Sequence, residues 1–214
     1  MISKMKAREI LDYDRQHVWH PYATTKNPLT VRLAESAHGV RLRLADGREV
    51  IDGMSSWWAV AHGYNNAHIN AAVAGQLEKM SHVMFGGLTH EPAVRLAQRL
   101  VEMTPEGLQK VFFCDSGSVS VEVAMKMALQ YWHSLGKPEK NKFATCLGGY
   151  HGDTWHAMSV CDPIGGMHSL FAGGLPISFF APRPEPAFGA QWDDSAFEPL
   201  EKLVRENARE IAAF

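Results

Sequence analysis

The stretch Phe112-Phe113-Cys114-Asp115-Ser116-Gly117-Ser118-Val119-Ser120-Val121-Glu122-Val123-Ala124-Met125-Lys126 decides how this chain folds. An apolar run expected to form a strand over 111–114 enters a short polar turn, and the turn opens a long amphipathic helix expected over 117–135, ending near Gly136. The first amides of a helix have no intrahelical acceptor, and that end carries partial positive charge, so it suits a phosphate. Gly117 allows close approach of an anion, and Ser116 and Ser118 add hydroxyl donors. Downstream lies Gly148-Gly149-Tyr150-His151-Gly152, a second glycine-rich turn with an aromatic ring at its centre. The two turns together suit a phosphorylated planar ligand. Taken by themselves, residues 115–118 suit an ordinary capped strand-to-helix turn equally well.

Outward from this stretch, strands and helices alternate. A strand is expected over 143–147, a short helix over 153–160 and a strand over 177–181. A last helix opens on a capping box from Ser195 to Glu198. Such alternation predicts an α/β fold with a mostly parallel sheet. Towards the N-terminus, residues 1–30 read as an arm. Val40-Arg41-Leu42-Arg43-Leu44 alternates, turns at Asp46-Gly47 and resumes at Glu49-Val50-Ile51, predicting a hairpin. The period then becomes helical, with stripes at Ile69, Val73, Leu77 and Met80 and at Ala93, Leu96, Ala97 and Leu100. The terminal Ile211-Ala212-Ala213-Phe214 suits an incoming strand, so the domain is expected to be interrupted there.

At 214 residues and 46% hydrophobic content the chain can bury a core rather than remain disordered. A net charge of −2 leaves no basic stripe for nucleic acid. No apolar run reaches membrane-spanning length, and the first six residues lack a signal-peptide core. Cys114, Cys146 and Cys161 form an odd set without Cys-x-x-Cys spacing, which fits free thiols in the cytoplasm. The eleven histidines do not form a His-Glu-x-x-His motif, and no metal site is expected. The glycine signatures of nicotinamide dehydrogenases, P-loop enzymes and α/β hydrolases are all missing.

Asp115-Ser116-Gly117-Ser118 with Glu122-Val123-Ala124-Met125-Lys126-Met127-Ala128 resembles the phosphate-binding turn and helix of class III aminotransferases, which use pyridoxal 5′-phosphate (PLP). Gly149-Tyr150-His151-Gly152 resembles their second motif. The resemblance implies the PLP-dependent transferase fold of the aspartate aminotransferase type, with helices on both faces of a mostly parallel sheet. Residues 1–60 would be the arm and part of a smaller domain, and 61–214 the first part of the large cofactor-binding domain. Four further segments are Trp19-His20-Pro21-Tyr22, Asp52-Gly53-Met54-Ser55-Ser56-Trp57-Trp58, Ser81-His82-Val83-Met84-Phe85-Gly86-Gly87 and Met158-Ser159-Val160-Cys161-Asp162-Pro163. They narrow the likeness to the branch serving biotin biosynthesis, which moves an amino group from S-adenosylmethionine to 8-amino-7-oxononanoate. The resemblance runs from about residue 15 to the end.

On that resemblance, Gly117 and Ser118 hold the PLP phosphate, and Tyr150 covers one face of the pyridine ring and borders the substrate. Trp57 lines the pocket for the substrate's methylene chain and Tyr22 closes it, since stiff aromatics suit such a chain. Trp58 is expected to pack, and His151 to brace its loop. The segment 81–89 is expected near a homodimer interface. No lysine here stands in the family's catalytic context, so the Schiff-base lysine is expected beyond Phe214, and this chain alone is expected to be inactive and poorly stable. Two other readings stay open. One is another class III aminotransferase acting on an ω-amine, an ornithine-like substrate or aminobutyrate. The other is a non-catalytic PLP- or phosphate-binding module.

Overall fold

Alternating apolar residues and two tight turns build the first sheet. Strands β1 (Ala34–His38), β2 (Arg41–Leu44) and β3 (Glu49–Ile51) pair antiparallel in that order. The turn between β2 and β3 falls at Asp46-Gly47, where Gly47 takes φ +86° and donates to the Leu44 carbonyl at 3.0 Å. Leu44 is the buried residue of this hairpin. The structure is a computed structural model that describes residues 6–184, 186 and 188–214. It divides into two compact units, Met1–Arg95 and Leu96–Phe214.

The first unit also carries helices α1 (Ala7–His17) and α2 (Ala67–Leu77). Helix α1 lies within the stretch read as an arm, the first five residues of which fall outside the described residues. Asn66 caps α2 by accepting from the amides of His68 and Ile69 at 3.1 and 3.2 Å. The expected stripe appears on this helix and just past it, but Ile69, Val73, Leu77 and Met80 are exposed. Helix α3 (Glu91–Met103) follows, with Pro92 in its first turn.

The second unit is built on a parallel sheet, β4 (Lys142–Cys146) flanked by β5 (Phe179–Ala181) and β6 (Ile211–Ala213). Helix α4 (Gly117–Ser134) packs its Val121, Met125, Ala128 and Leu129 face against Phe143, Val160, Ala212 and Ala213. The Trp132 indole donates to the Ala212 carbonyl at 2.7 Å, and the Lys140 ammonium lies 4.4 Å from the centre of its ring. These contacts lock the end of α4 to β6.

Three local expectations change. Residues 111–114 form no strand among the described residues, because no neighbour supplies a ladder; the apolar Phe112 is 65% exposed. The last helix, α6, spans Glu198–Glu206 and does not begin on a Ser195 capping box. Asp193 takes the Ser195 amide at 2.9 Å and starts a 3-10 turn over Asp194–Phe197, and Pro199 then sits in the first turn of α6. The short helix α5 closes to Trp155–Met158.

Candidate active site

Strand β4 delivers the chain to Gly148-Gly149-Tyr150-His151-Gly152 at its carboxyl end, where parallel sheets leave room for ligands. The start of α4 meets this loop. Ser116 caps the helix, its hydroxyl accepting from the Val119 amide at 3.2 Å, and the Ser120 amide returns to the Ser116 carbonyl at 3.0 Å. The amides of Gly117 and Ser118 come earlier and have no intrahelical acceptor. A side chain begun at Gly117 would meet nothing within 4 Å, so the space beside this residue at the helix start is open.

Ser118 is tied to the second loop. Its hydroxyl accepts from the Asp153 amide at 3.0 Å, which leaves the hydroxyl proton to donate. The carboxylate of Asp153 accepts from the Tyr150 hydroxyl on Oδ2 at 2.8 Å and faces His168 Nε2 from Oδ1 at 3.0 Å. Gly152, at φ +118°, is buried against Ser118: a side chain there would start 1.9 Å from the Ser118 hydroxyl oxygen. Two open amides, a hydroxyl with a proton to give and an exposed aromatic ring beside them fit the phosphate and ring of PLP.

Three side chains, none given a role by sequence reasoning, hold this loop. Buried Cys161 accepts from the His151 amide at 3.2 Å and donates towards the Ala157 carbonyl at 3.3 Å. Glu122, one turn into α4, accepts from the His156 amide at 2.9 Å. Burial works against the Glu122 charge, but the Thr154 side chain, together with the amides of His156 and Ala157, outweighs it and holds its pKa below the ordinary carboxylate range. Asp162 accepts from Gly165 at 2.6 Å, Gly148 at 2.6 Å and Ile164 at 2.9 Å, and these amides lower its pKa. A carboxylate lowered in this way contributes its stabilisation above its ordinary range and loses it as pH falls through the depressed value. At neutral pH, therefore, Asp162→Ala should speed amide exchange at Gly148, Ile164 and Gly165; unchanged exchange would show that the carboxylate does not anchor the loop.

The remaining candidate residues lie in the first unit. Tyr22 and Trp57 meet edge to face, with ring centres 6.0 Å apart. Ser55, Ser56, Trp57 and Trp58 all take left-handed backbone, at φ +47°, +44°, +54° and +74°. Trp58 is 86% exposed, the opposite of the packing residue expected. In a left-handed turn its side chain has no reason to alternate with Trp57 as it would on a strand. Asp52 anchors the turn, accepting from the amides of Met54 at 3.0 Å and Ser56 at 2.7 Å and from the Tyr64 hydroxyl at 2.7 Å. Tyr64 in turn exchanges backbone hydrogen bonds with Gly39 at the β1–β2 turn, at 3.0 and 2.7 Å. Ser56 and Tyr64 also join hydroxyl to hydroxyl.

The family model for class-III aminotransferases matches residues 22–214. An adenosylmethionine-8-amino-7-oxononanoate aminotransferase from Corynebacterium glutamicum is 51% identical over 209 residues, covering 97% of this chain and 49% of its own length. The protein of the same name from Buchnera aphidicola is 48% identical over 203 residues, covering 95% of this chain and 47% of its own. A solved structure of the aminotransferase of that name from Methanocaldococcus jannaschii superposes with a TM-score of 0.82 at 29% identity, over 97% of this chain and 46% of that one. The chain spans about half the length of the curated relatives it matches. The match includes both glycine-rich turns and the strands and helices that carry them, and on that ground the chain belongs to the class-III aminotransferases, a family that works with PLP.

Proposed function

We propose that the protein carrying this chain transfers an amino group from S-adenosylmethionine to the ketone of 8-amino-7-oxononanoate, giving 7,8-diaminononanoate for biotin biosynthesis. The geometric observation that carries the reading is the Tyr22–Trp57 pair, two exposed rings meeting edge to face on left-handed backbone. The names of the relatives, at 48 to 51% identity across nearly all of this chain, support the same substrates. PLP supplies the electron sink that lets an amine nitrogen pass from donor to ketone. Around it, the amides of Gly117 and Ser118 and the Ser118 hydroxyl bind the phosphate. The ring of Tyr150 covers one face of the cofactor and borders the substrate, its hydroxyl held by Asp153. Trp57 lines the methylene chain of the amino-keto acid and Tyr22 closes over it.

The protein works as a homodimer in the cytoplasm, with the segment 81–89 at the subunit interface and the first sixty residues in the arm and smaller domain. Among the described residues, no helix is long and apolar enough to cross a membrane. The test is to load the protein with PLP, supply 8-amino-7-oxononanoate, and follow diamine formation by mass spectrometry with S-adenosylmethionine, ornithine, aminobutyrate and ω-amines as separate donors. Diamine formation with S-adenosylmethionine is expected. Turnover of the other amines with none from this pair would move the protein to another branch of the family.

A further inference from the structure

The imidazole of His168 is only 8% exposed. Its Nε2 lies 3.0 Å from Asp153 Oδ1, an arrangement in which the imidazole N–H donates to the carboxylate. Its Nδ1 is buried and has no partner among the described residues. A buried polar atom without a partner is costly, so a position that served packing alone would be filled more stably by an apolar side chain. The cost is tolerable where the other nitrogen has work to do. The same ring lies nearly parallel to Tyr150, with centres 6.1 Å apart and planes 23° apart. His168 thus reaches both members of the Tyr150–Asp153 pair, one by a hydrogen bond and the other by its face.

The backbone of Asp153 is already fixed, because its amide is spent on Ser118. What remains free is the rotation of its carboxylate, which is 56% exposed and would otherwise be set by water. The oxygen opposite the His168 contact is the one that takes the Tyr150 hydroxyl. We propose that His168 is a positioning residue for the site: its Nε2 donor sets the rotation of Asp153, and Asp153 sets the Tyr150 ring. The inference rests on the reading that Tyr150 covers the PLP ring.

The test compares two variants of the PLP-loaded protein. His168→Phe keeps the ring and its volume but has no donor; His168→Gln gives up the ring but places an amide N–H near Nε2. Two quantities are read: the visible circular dichroism of bound PLP without substrate, which reports the asymmetry around the cofactor ring, and kcat against KM for the proposed substrates. His168→Phe should weaken the dichroism and lower kcat about tenfold, the loss of roughly one hydrogen bond, with a smaller change in KM. His168→Gln should recover kcat to within about threefold of wild type. Unchanged dichroism and kcat in His168→Phe would overturn the proposal. So would equal losses in both variants that track a fall in melting temperature, since packing alone would then explain them. If His168→Phe does not fold, His168→Asn, too short to reach Asp153, takes its place: weakened dichroism supports the proposal and wild-type dichroism overturns it. The dichroism needs no substrate, so failure of the proposed substrate pair is distinguishable from failure of this inference.

Discussion

Gly152→Ala should abolish tight cofactor binding and lower the melting temperature. The added methyl carbon would begin 1.9 Å from the Ser118 hydroxyl oxygen, 2.6 Å from its Cβ and 2.8 Å from its Cα. A rotation of the serine hydroxyl could clear the first contact, but the other two involve atoms fixed by the start of α4. The backbone adds to the difficulty, since φ +118° is a region that L side chains rarely adopt. Overpacking and backbone strain together put the cost at about 3 kcal/mol or more, a large share of the stability of an ordinary domain. Relief requires the loop to move away from α4, which breaks the bond from the Asp153 amide to Ser118 and carries Tyr150 with it. PLP affinity should fall about a hundredfold or more if most of that strain falls on the bound state.

Gly117→Ala is the informative partner to that variant. Nothing lies within 4 Å of its new carbon, and alanine is a better helix former than glycine, so the protein without cofactor should melt at or slightly above the wild-type temperature. Its PLP affinity should nevertheless fall, because a methyl group at the helix start crowds an anion that approaches the backbone closely there. Titration of the cofactor-free proteins with PLP, alongside thermal melts, separates the two effects. Wild-type affinity and melting in Gly152→Ala would mean that the loop does not press on α4; wild-type affinity in Gly117→Ala would move the phosphate away from this helix start.

Much of this arrangement could be read from local sequence. Ser116 and Gly136 bracket α4 with a cap and a stop, and the helix found, Gly117–Ser134, differs by one residue from the one expected. The hairpin at Asp46-Gly47 was equally local. Residues 111–114 have the composition of a strand, yet a strand exists only where a neighbour offers a ladder, and composition cannot report that. At the last helix, Ser195 looked like the cap, but its own amide, which a capping box would give to Glu198, is taken by Asp193 two residues earlier. The residues that support the site were illegible for a different reason. Asp153 meets Ser118 across 35 positions, His156 meets Glu122 across 34, and His168 meets Asp153 across 15. No periodicity links partners so far apart; only the folded chain brings them together. The left-handed turn at Ser55-Ser56-Trp57-Trp58 ran against propensity, since it contains no glycine or asparagine.

That turn leads to the other large expected effect. Four consecutive non-glycine residues in left-handed backbone do not persist without external support. Asp52 supplies it, holding two amides and the Tyr64 hydroxyl, while Tyr64 is pinned at its backbone to Gly39. Asp52→Ala removes the shared acceptor, and residues 55–58 should relax to ordinary backbone, turning Trp57 away from Tyr22. KM for the amino-keto acid should rise about tenfold or more, the loss of one well-placed aromatic contact, while PLP affinity, set by residues of the other unit, stays unchanged. The pH dependence follows from the same bonds. The Tyr64 hydroxyl, against the opposing effect of burial and with help from the Met54 and Ser56 amides, holds the Asp52 pKa below its ordinary value. Its contribution is therefore complete above the ordinary carboxylate range and is lost only as pH falls through the lowered value. Between about pH 5 and 8 the ionisation of Asp52 should leave KM flat. Tyr64→Phe removes the largest of these bonds but spares the amides, so it should raise KM less than Asp52→Ala does. Equal KM values for wild type, Tyr64→Phe and Asp52→Ala would mean that the strained turn does not position Trp57 for the substrate.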